Sequence, residues 1–316
     1  MIRPLRPTDI VALSGLNAQA ALVEVTSQTW PRVQPESGHL SHLALLSHSL
    51  TRPVDRRQAW VCTSRSGVRG IAIAKSRAGG LAWDVEHLYA EEDRDAAALL
   101  DHLCGQAAHA AVRRVFMETP SGPRGIDIGR RAGFDRYTSA QLFYLPAQAP
   151  RQQLETFGAR PRLRADEQPL FQLYNAAVPL KVRRAEALTY EEWAALYGGR
   201  HKWAPTLFGE RQQLVWEFGT WLIGWMEVVF GSRSQFLEVL IGPDGERHID
   251  EMIAYAVSQT SPKAPLYATA REYQPALASG LQRAGFREVS DVDIHVRQLA
   301  ARVPNPTLVP AQMAGV

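Results

Sequence analysis

Glu86 and Glu238 each fall midway along an alternating, strand-like run, Trp83 to Tyr89 and Phe236 to Ile241. A carboxylate held on a strand and partly shut off from water ionises less readily than one in solvent. With its pKa raised it can take a proton from an ammonium, directly or through water. The same alternation also allows each glutamate simply to point to solvent. Other groupings carry less chemistry. Glu36, His39 and His42 are spaced three apart and could share a helical face, but no fourth ligand accompanies them, so they read as a solvated helix start and no metal is expected. Ser14 and Ser279 each precede a glycine outside any Gly-x-Ser-x-Gly pattern, which leaves a hydrolase nucleophile unsupported. Cys62 and Cys104, the only cysteines, sit in separate apolar runs and read as reduced, buried small residues. Lys181, Arg183 and Arg184 form a small basic cluster that either greets an acidic acceptor or is plain solvated surface.

Composition sets the outer limits. At 316 residues, 46% hydrophobic and 21% charged, the chain has the make-up of a soluble globular protein long enough for two cores. A net charge of +3, scattered along the sequence, is too mild to argue for nucleic acid. No apolar run approaches the ~20 residues a membrane helix needs. Met1-Ile2-Arg3-Pro4 opens without an apolar signal core. The expected location is cytoplasmic, with no membrane partner.

The elements that would hold the two glutamates recur. Arg131-Ala132-Gly133-Phe134 and Arg283-Ala284-Gly285-Phe286 each close a helix-like run and lead into a strand-like one. Glycine just past a helix takes the left-handed cap conformation cheaply, and the phenylalanine after it can fold back on the last turn. The interval from Glu86 to Glu238 equals that from Gly133 to Gly285. So long a repeat means two whole domains rather than a solenoid. The spacing predicts, in the first half, a strand at Ile2 to Leu5 and a helix with Thr8 as N-cap carrying Ile10, Leu13, Leu16 and Leu22. A second helix at His39 to Leu50, a hairpin over Ala59 to Lys75, a strand at Trp83 to Tyr89 and a helix through Leu99 to Ala111 follow. The second half restarts at Leu163-Arg164-Ala165-Asp166, an echo of Leu5-Arg6-Pro7-Thr8. It continues through helices near Leu170 and Tyr190, the hairpin Leu214 to Phe230, the strand Phe236 to Ile241 and a helix through Ile249 to Val257. Trp216, Trp221 and Trp225 in that hairpin are either core, the default, or the contact between the two halves. The expected organisation is a domain over 1–146, a linker over 147–160, a domain over 161–302 and a disordered tail over 303–316.

This order, with the opening Ile2-Arg3-Pro4-Leu5-Arg6-Pro7-Thr8-Asp9, its echo and the two Ala-Gly-Phe endings, resembles the GNAT superfamily of N-acetyltransferases, over nearly the whole chain as two copies. The resemblance implies an α+β fold of two tandem GNAT-like domains, each a mixed, mostly antiparallel sheet flanked by helices. It implies a sheet splayed between the fourth and fifth strands, with acyl-CoA entering the gap and its pyrophosphate held by backbone amides at the following helix start. Free N–H groups and the helix dipole draw anions to such a place.

The first copy of that loop, Leu88-Tyr89-Ala90-Glu91-Glu92-Asp93-Arg94-Asp95-Ala96, has no glycine and four carboxylates that would repel a pyrophosphate. The second is short but keeps Leu240, Ile241, Gly242, Gly245, Arg247 and His248, which are the expected cofactor-binding residues. The family's usual tyrosine, four residues before the Gly-Phe glycine, is replaced by Gly129 and Leu281; Tyr273 and Tyr267 lie nearby, and Tyr273 is taken as the candidate acid. Glu238 falls on the strand that the family uses for a general base. The implied activity is acyl-CoA-dependent N-acyl transfer, with acetyl-CoA as co-substrate, to a small-molecule or peptide amine. The alternative is an inactive binding or assembly module.

Overall fold

The computed structural model describes residues 1–13, 21–24, 57–65, 67–77, 80–149, 158–197, 210–231 and 234–299. The expected helix at His39 to Leu50, the middle of the linker, the tail over 303–316 and the Glu36, His39 and His42 group lie outside these residues. No helix among them is long and apolar enough to cross a membrane.

In the first half β1 (Ile2–Pro4) leads to the short helix α1 (Asp9–Leu13) and to β2 (Ala21–Glu24). Leu22 is therefore on a strand, not on a continuation of the first helix as its spacing suggests. The helix begins just after Thr8, and the Asp9 carboxylate ties its entry: it accepts from the Arg6 amide at 2.8 Å and takes both guanidinium nitrogens of Arg3 at 2.7 Å. The same tie opens the second half, where Arg160 holds Asp166 at 2.7 and 2.8 Å and the Leu163 amide donates at 2.6 Å. The true echo is thus Arg3-Pro4 with Asp9 against Arg160-Pro161 with Asp166, one residue out of register with the apolar match.

The hairpin β3 (Arg57–Ser64) and β4 (Gly67–Ser76), β5 (Ala82–Ala90), α2 (Asp93–His109), β6 (Arg114–Pro120), α3 (Pro123–Arg131) and β7 (Asp135–Leu145) complete the first half. The second runs β8 (Ala159–Pro161), α4 (Glu167–Ala177), α5 (Leu180–Glu186), α6 (Tyr190–Tyr197), β9 (Glu210–Phe218), β10 (Trp221–Phe230) and β11 (Gln235–Ile241). It ends with α7 (Ile249–Ser258), β12 (Leu266–Arg271), α8 (Pro275–Arg283) and β13 (Arg287–Gln298). The two Ala-Gly-Phe stretches do cap α3 and α8: Gly133 and Gly285 have φ of 72° and 89°. Phe134 and Phe286 donate back to Gly129 and Leu281 at 2.9 and 3.0 Å, and both rings are buried.

The strands join one sheet in the order β1-β3-β4-β5-β6-β13-β7-β12-β11-β10-β9-β8, with β2 alone off this path. The order is nearly a palindrome, because the last strand of each half lies against the other half. β13 pairs antiparallel with β6 from Val292↔Pro120 to Gln298↔Arg114, and β7 pairs antiparallel with β12 from Leu266↔Leu145 to Arg271↔Ala140. β7 and β13 also pair with each other. Division into two domains accordingly stands as a proposal about sequence halves that share one hydrogen-bonded sheet.

Helices cover both faces. Leu99, Leu100, Leu103 and Cys104 of α2 share a core with Trp83, Val85, Val115 and Met117. Met252 and Ile253 of α7 with Leu277 and Leu281 of α8 do likewise with Met226, Val228, Leu237 and Val239. Helices α4 to α6 form a third cluster astride the junction, where Leu170, Tyr174 and Trp193 share a core with Phe116 of β6, Tyr137 and Ala140 of β7, and Ile294 of β13. Burial holds the Cys104 thiol up at about 12, so it stays protonated.

Candidate functional site

The site is built where β11 and β12 part. These two strands pair in parallel only from Gln235↔Leu266 to Leu237↔Ala268. Beyond that register Glu238 to Ile241 on one side and Thr269 to Arg271 on the other diverge. On its far edge β11 stays paired with β10 as far as Ile241. Among the described residues no strand pairs with the edge of β11 that faces the gap; Gln274 reaches across with Nε2 at 3.3 Å from the Val239 carbonyl. The gap opens into a cleft of about 680 Å³ counting its mouth, with Glu238, Leu240, Trp225, Arg271 and Tyr273 in its walls and α4 to α6 as its lid.

Glu238 faces this cleft because it shares strand parity with Leu240 and stands directly opposite Glu227 of β10. It makes no hydrogen bond or ion pair among the described residues. Its carboxyl is pushed up to about 7, by burial first and by the neighbouring Glu227 charge next, with Arg271 pulling the other way. Glu227 itself is served by Gln213 at 2.7 Å and by Arg211 at 3.4 Å. Tyr273, just past β12, lines the same cleft, and burial raises its phenol so that it keeps its proton. Arg271 stays charged: burial opposes the charge, and Glu186 and the surrounding groups more than offset that. Its Nη2 lies 3.5 Å from Glu186 Oε1, which also accepts from Tyr137 at 2.8 Å.

The first half has the same splay with different contents. β5 and β6 pair from Ala82↔Arg114 to Asp84↔Phe116 and then part. Here β2 pairs antiparallel with the freed edge of β5, Ala21↔Tyr89 to Glu24↔His87, and lies against β6 as well. Glu86 is 3% exposed and is gripped by Arg57, with Nε to Oε2 at 2.6 Å and Nη2 to Oε1 at 3.1 Å. Arg69 collects Glu91, Glu92 and Asp95 from the acidic loop. So one repeat position holds a locked glutamate beside a filled gap, and its counterpart a raised, unpaired glutamate in a cleft.

The glycines of the second loop do something other than expected. The Gly242 amide donates to the Ile223 carbonyl and the Gly245 amide to the Gly242 carbonyl, both at 2.9 Å. A Cβ on Gly245 would stand 2.4 Å from the Ile223 carbonyl oxygen, and one on Gly242 would stand 2.7 Å from Leu173 Cδ1. These residues are glycine so that the turn Pro243–His248 can pack on β10, and their amides are already engaged. Arg247 stacks over Phe218 at 5.0 Å, and His248 Nδ1 meets Glu251 at 2.9 Å. Of the six residues expected at the cofactor, Leu240 lines the cleft, Ile241 turns into the opposite core, and Arg247 and His248 lie at the loop's outer turn. A Gly245→Ala chain is expected to lose roughly 1–3 kcal/mol of stability, since a backbone carbonyl cannot swing aside. Denaturant midpoints would measure it, and an unchanged midpoint would mean the packing is looser than described.

No protein-family model matches the sequence, nor does any curated protein sequence. Solved structures do match. A GCN5-related N-acetyltransferase from Sphaerobacter thermophilus superposes with a TM-score of 0.55 at 14% identity, over 94% of this chain and 95% of that one. A candidate acetyltransferase from Pyrococcus horikoshii gives 0.51 at 11% identity over 95% and 90%. A conserved protein of unknown function from Staphylococcus epidermidis gives 0.50 at 10% identity over 76% and 94%. The chain has the GNAT fold. At these identities the likeness establishes architecture and leaves chemistry to the residues.

Within the GNAT fold, sequence reasoning placed Glu238 and Tyr273, and the cleft brings them together. It missed three residues that surround them. Glu186 ends α5, a helix hidden in the stretch read as a basic cluster; there Arg183 bonds Val178 and Asn175 at 3.0 and 2.7 Å, while Lys181 and Arg184 are exposed. Arg271 lies beyond the apolar triplet Leu266 to Ala268 that marked its strand. Of the hairpin's tryptophans Trp216 is core, Trp221 is 67% exposed, and Trp225 packs on the cluster astride the junction and forms a cleft wall. Tyr267 packs on Tyr144 at 5.2 Å in another cluster.

Proposed function

We propose that the second half is an acyl-CoA-dependent N-acyltransferase and that the first half is a catalytically silent partner. The observation that carries this is the contrast between Glu238, unpaired and raised to about 7 beside an open strand edge, and Glu86, clamped by Arg57 beside an edge taken by β2. The free edge of β11 suits an extended, amide-bearing arm such as pantetheine, which can hydrogen-bond to a strand. The expected glycine cradle for the pyrophosphate does not fit, because its amides are used; Arg247 is the cationic group on that side, with the His248 ring beside it in the chain.

Acyl-CoA supplies an activated thioester carbonyl. Glu238 accepts a proton from the acceptor ammonium and so frees the nitrogen lone pair that forms the new N–C bond. As the C–S bond breaks, Tyr273 gives its phenol proton to the departing sulfur and regains one from the second N–H proton released by the acylated nitrogen, directly or through water, while Glu238 passes its proton to solvent. A second reading, a binding module without catalysis, is favoured by the engaged amides of Gly242 and Gly245. Calorimetric titration with acetyl-CoA separates the two. One site per chain, retained when Glu86 is changed to Gln, is the expected result. No detectable binding would sink the enzyme reading, and two sites per chain would mean that β2 does not close the first gap.

A further inference from the structure

Two buried donors in the cleft have no hydrogen-bond partner among the described residues: Nη1 of Arg271 and Nε1 of Trp225. Buried polar atoms are nearly always paired, and an unpaired charged donor is costly. Both residues line the same cleft as Glu238. Trp225 comes from β10, Glu238 from β11 and Arg271 from β12, so Glu238 sits between two donor-bearing strands, while the cleft's other carboxylate, Glu186, is taken up by Arg271 and Tyr137. On the side of α4 to α6 the wall is largely apolar and aromatic, from Leu170, Val178 and Trp193 with Tyr174 and the engaged Glu186 beside them, while Arg162, Thr269 and Gln274 add polar groups elsewhere.

We infer that the acceptor is an amine that also carries a carboxylate, an amino acid with an apolar side chain. Its carboxylate meets Arg271 Nη1 and Trp225 Nε1, its ammonium faces Glu238, and its side chain lies against the α4–α6 wall. The donor set is matched to this ligand. A guanidinium N–H and an indole N–H offer only donors, which a carboxylate needs and a simple alkylamine cannot use. Arg271 keeps its other nitrogen on Glu186, so it is oriented before any ligand arrives. An amine without the carboxylate would leave both donors buried and empty, the situation in which sites discriminate most strongly.

This deepens the acyltransferase reading and rests on it for the word acceptor, but binding can be measured without any transfer. The test is calorimetry and thermal shift of the full chain with the twenty standard L-amino acids and with the decarboxylated amines of leucine, phenylalanine and tryptophan. One or more apolar amino acids are expected to bind at least ~10- to 100-fold more tightly than the matching amine. Trp225→Phe, which removes one donor and keeps an aromatic ring, is expected to weaken amino-acid binding ~5- to 10-fold and to weaken the decarboxylated amines, which have no carboxylate for that donor, far less. Arg271→Lys is expected to abolish the preference for the carboxylate; because Arg271 also faces Glu186, the tryptophan variant decides if the lysine variant does not fold. Binding of no amino acid, equal binding of the decarboxylated amines, or a Trp225→Phe chain that weakens amino acids and amines alike would each overturn the inference. Amino-acid binding without acetyl transfer would overturn the acyltransferase reading and leave this one standing.

Discussion

Replacing Glu238 by glutamine is expected to lower kcat by roughly 10²–10⁴-fold and, at pH 8, to raise the melting temperature. The first effect is the loss of a general base of the usual strength. Its pH signature is specific: with the carboxyl at about 7, kcat/KM of the native chain should climb through that pH and level off above it, and the variant should lack the climb. The second effect follows from linkage. The ordinary value for this carboxyl is 4.5, and in the folded chain it is raised to about 7. The folded state therefore holds the proton more tightly than the unfolded one. Stability is lost as pH rises from the lower value through the upper, to a total of roughly 3 kcal/mol. Glutamine never ionises, so the two chains should melt alike at pH 4.5 and diverge by a few degrees at pH 8. The groups facing Glu238 set this value together: Glu227 and Glu186 push it up, Arg271 and Arg211 hold it down. A glutamine chain that melts lower than the native one at pH 8 would mean that the carboxylate is stabilised by a partner, and the base assignment would fall with it.

Glu238 was legible in the sequence because a charged residue inside an alternating apolar run is conspicuous. Its neighbours were not, for three different physical reasons. Arg271 ends a strand whose apolar signal stops at Ala268, and the strand continues only because β7 pairs with it through Ala140. Glu186 sits on a seven-residue helix, too short to show a period, and its burial comes from the distant Tyr137 and Arg271. Trp225 has the same sequence parity as Trp221, but a bulge between Leu222 and Gly224 shifts the register, so Trp221 stands opposite Phe218 and Trp225 opposite Val215, on different faces, and nothing local announces the bulge. The Gly-x-x-Gly of the second loop misled in the other direction. Glycine permits a phosphate to approach backbone, but it equally permits another strand's carbonyl to do so, and at Gly245 the carbonyl of Ile223 is already there. The duplication, the two capped helices and the hairpins were all readable, since each rests on local turn chemistry and periodicity. The exchange of β7 and β13 was not, because both strands have the same alternating pattern and nothing local states which neighbour each will choose.

That exchange yields the other large effect. Ile294→Pro is expected to prevent folding of the whole chain, not of the second half alone. Ile294 is 3% exposed and lies on a strand paired on both sides, opposite Glu118 of β6 and opposite Thr138 of β7. Proline there removes a ladder donor from a central strand and empties a buried side-chain site, a loss of roughly 5 kcal/mol or more. Typical domain stabilities are about 5–15 kcal/mol, so such a loss is comparable with the entire margin. Val289→Pro is the control. Val289 is 41% exposed and falls at the break in register between Glu288 and Ser290, where the ladder is already interrupted, and it should be tolerated. The same topology requires the halves to melt together: removing β13 strips a neighbour from both β6 and β7, so neither half keeps a complete sheet when the other opens. Calorimetry of the native chain should therefore show one transition. Two well-separated transitions, or an Ile294→Pro chain whose first half stays folded and resists protease, would mean that the exchanged strands contribute little and that each half completes its own sheet.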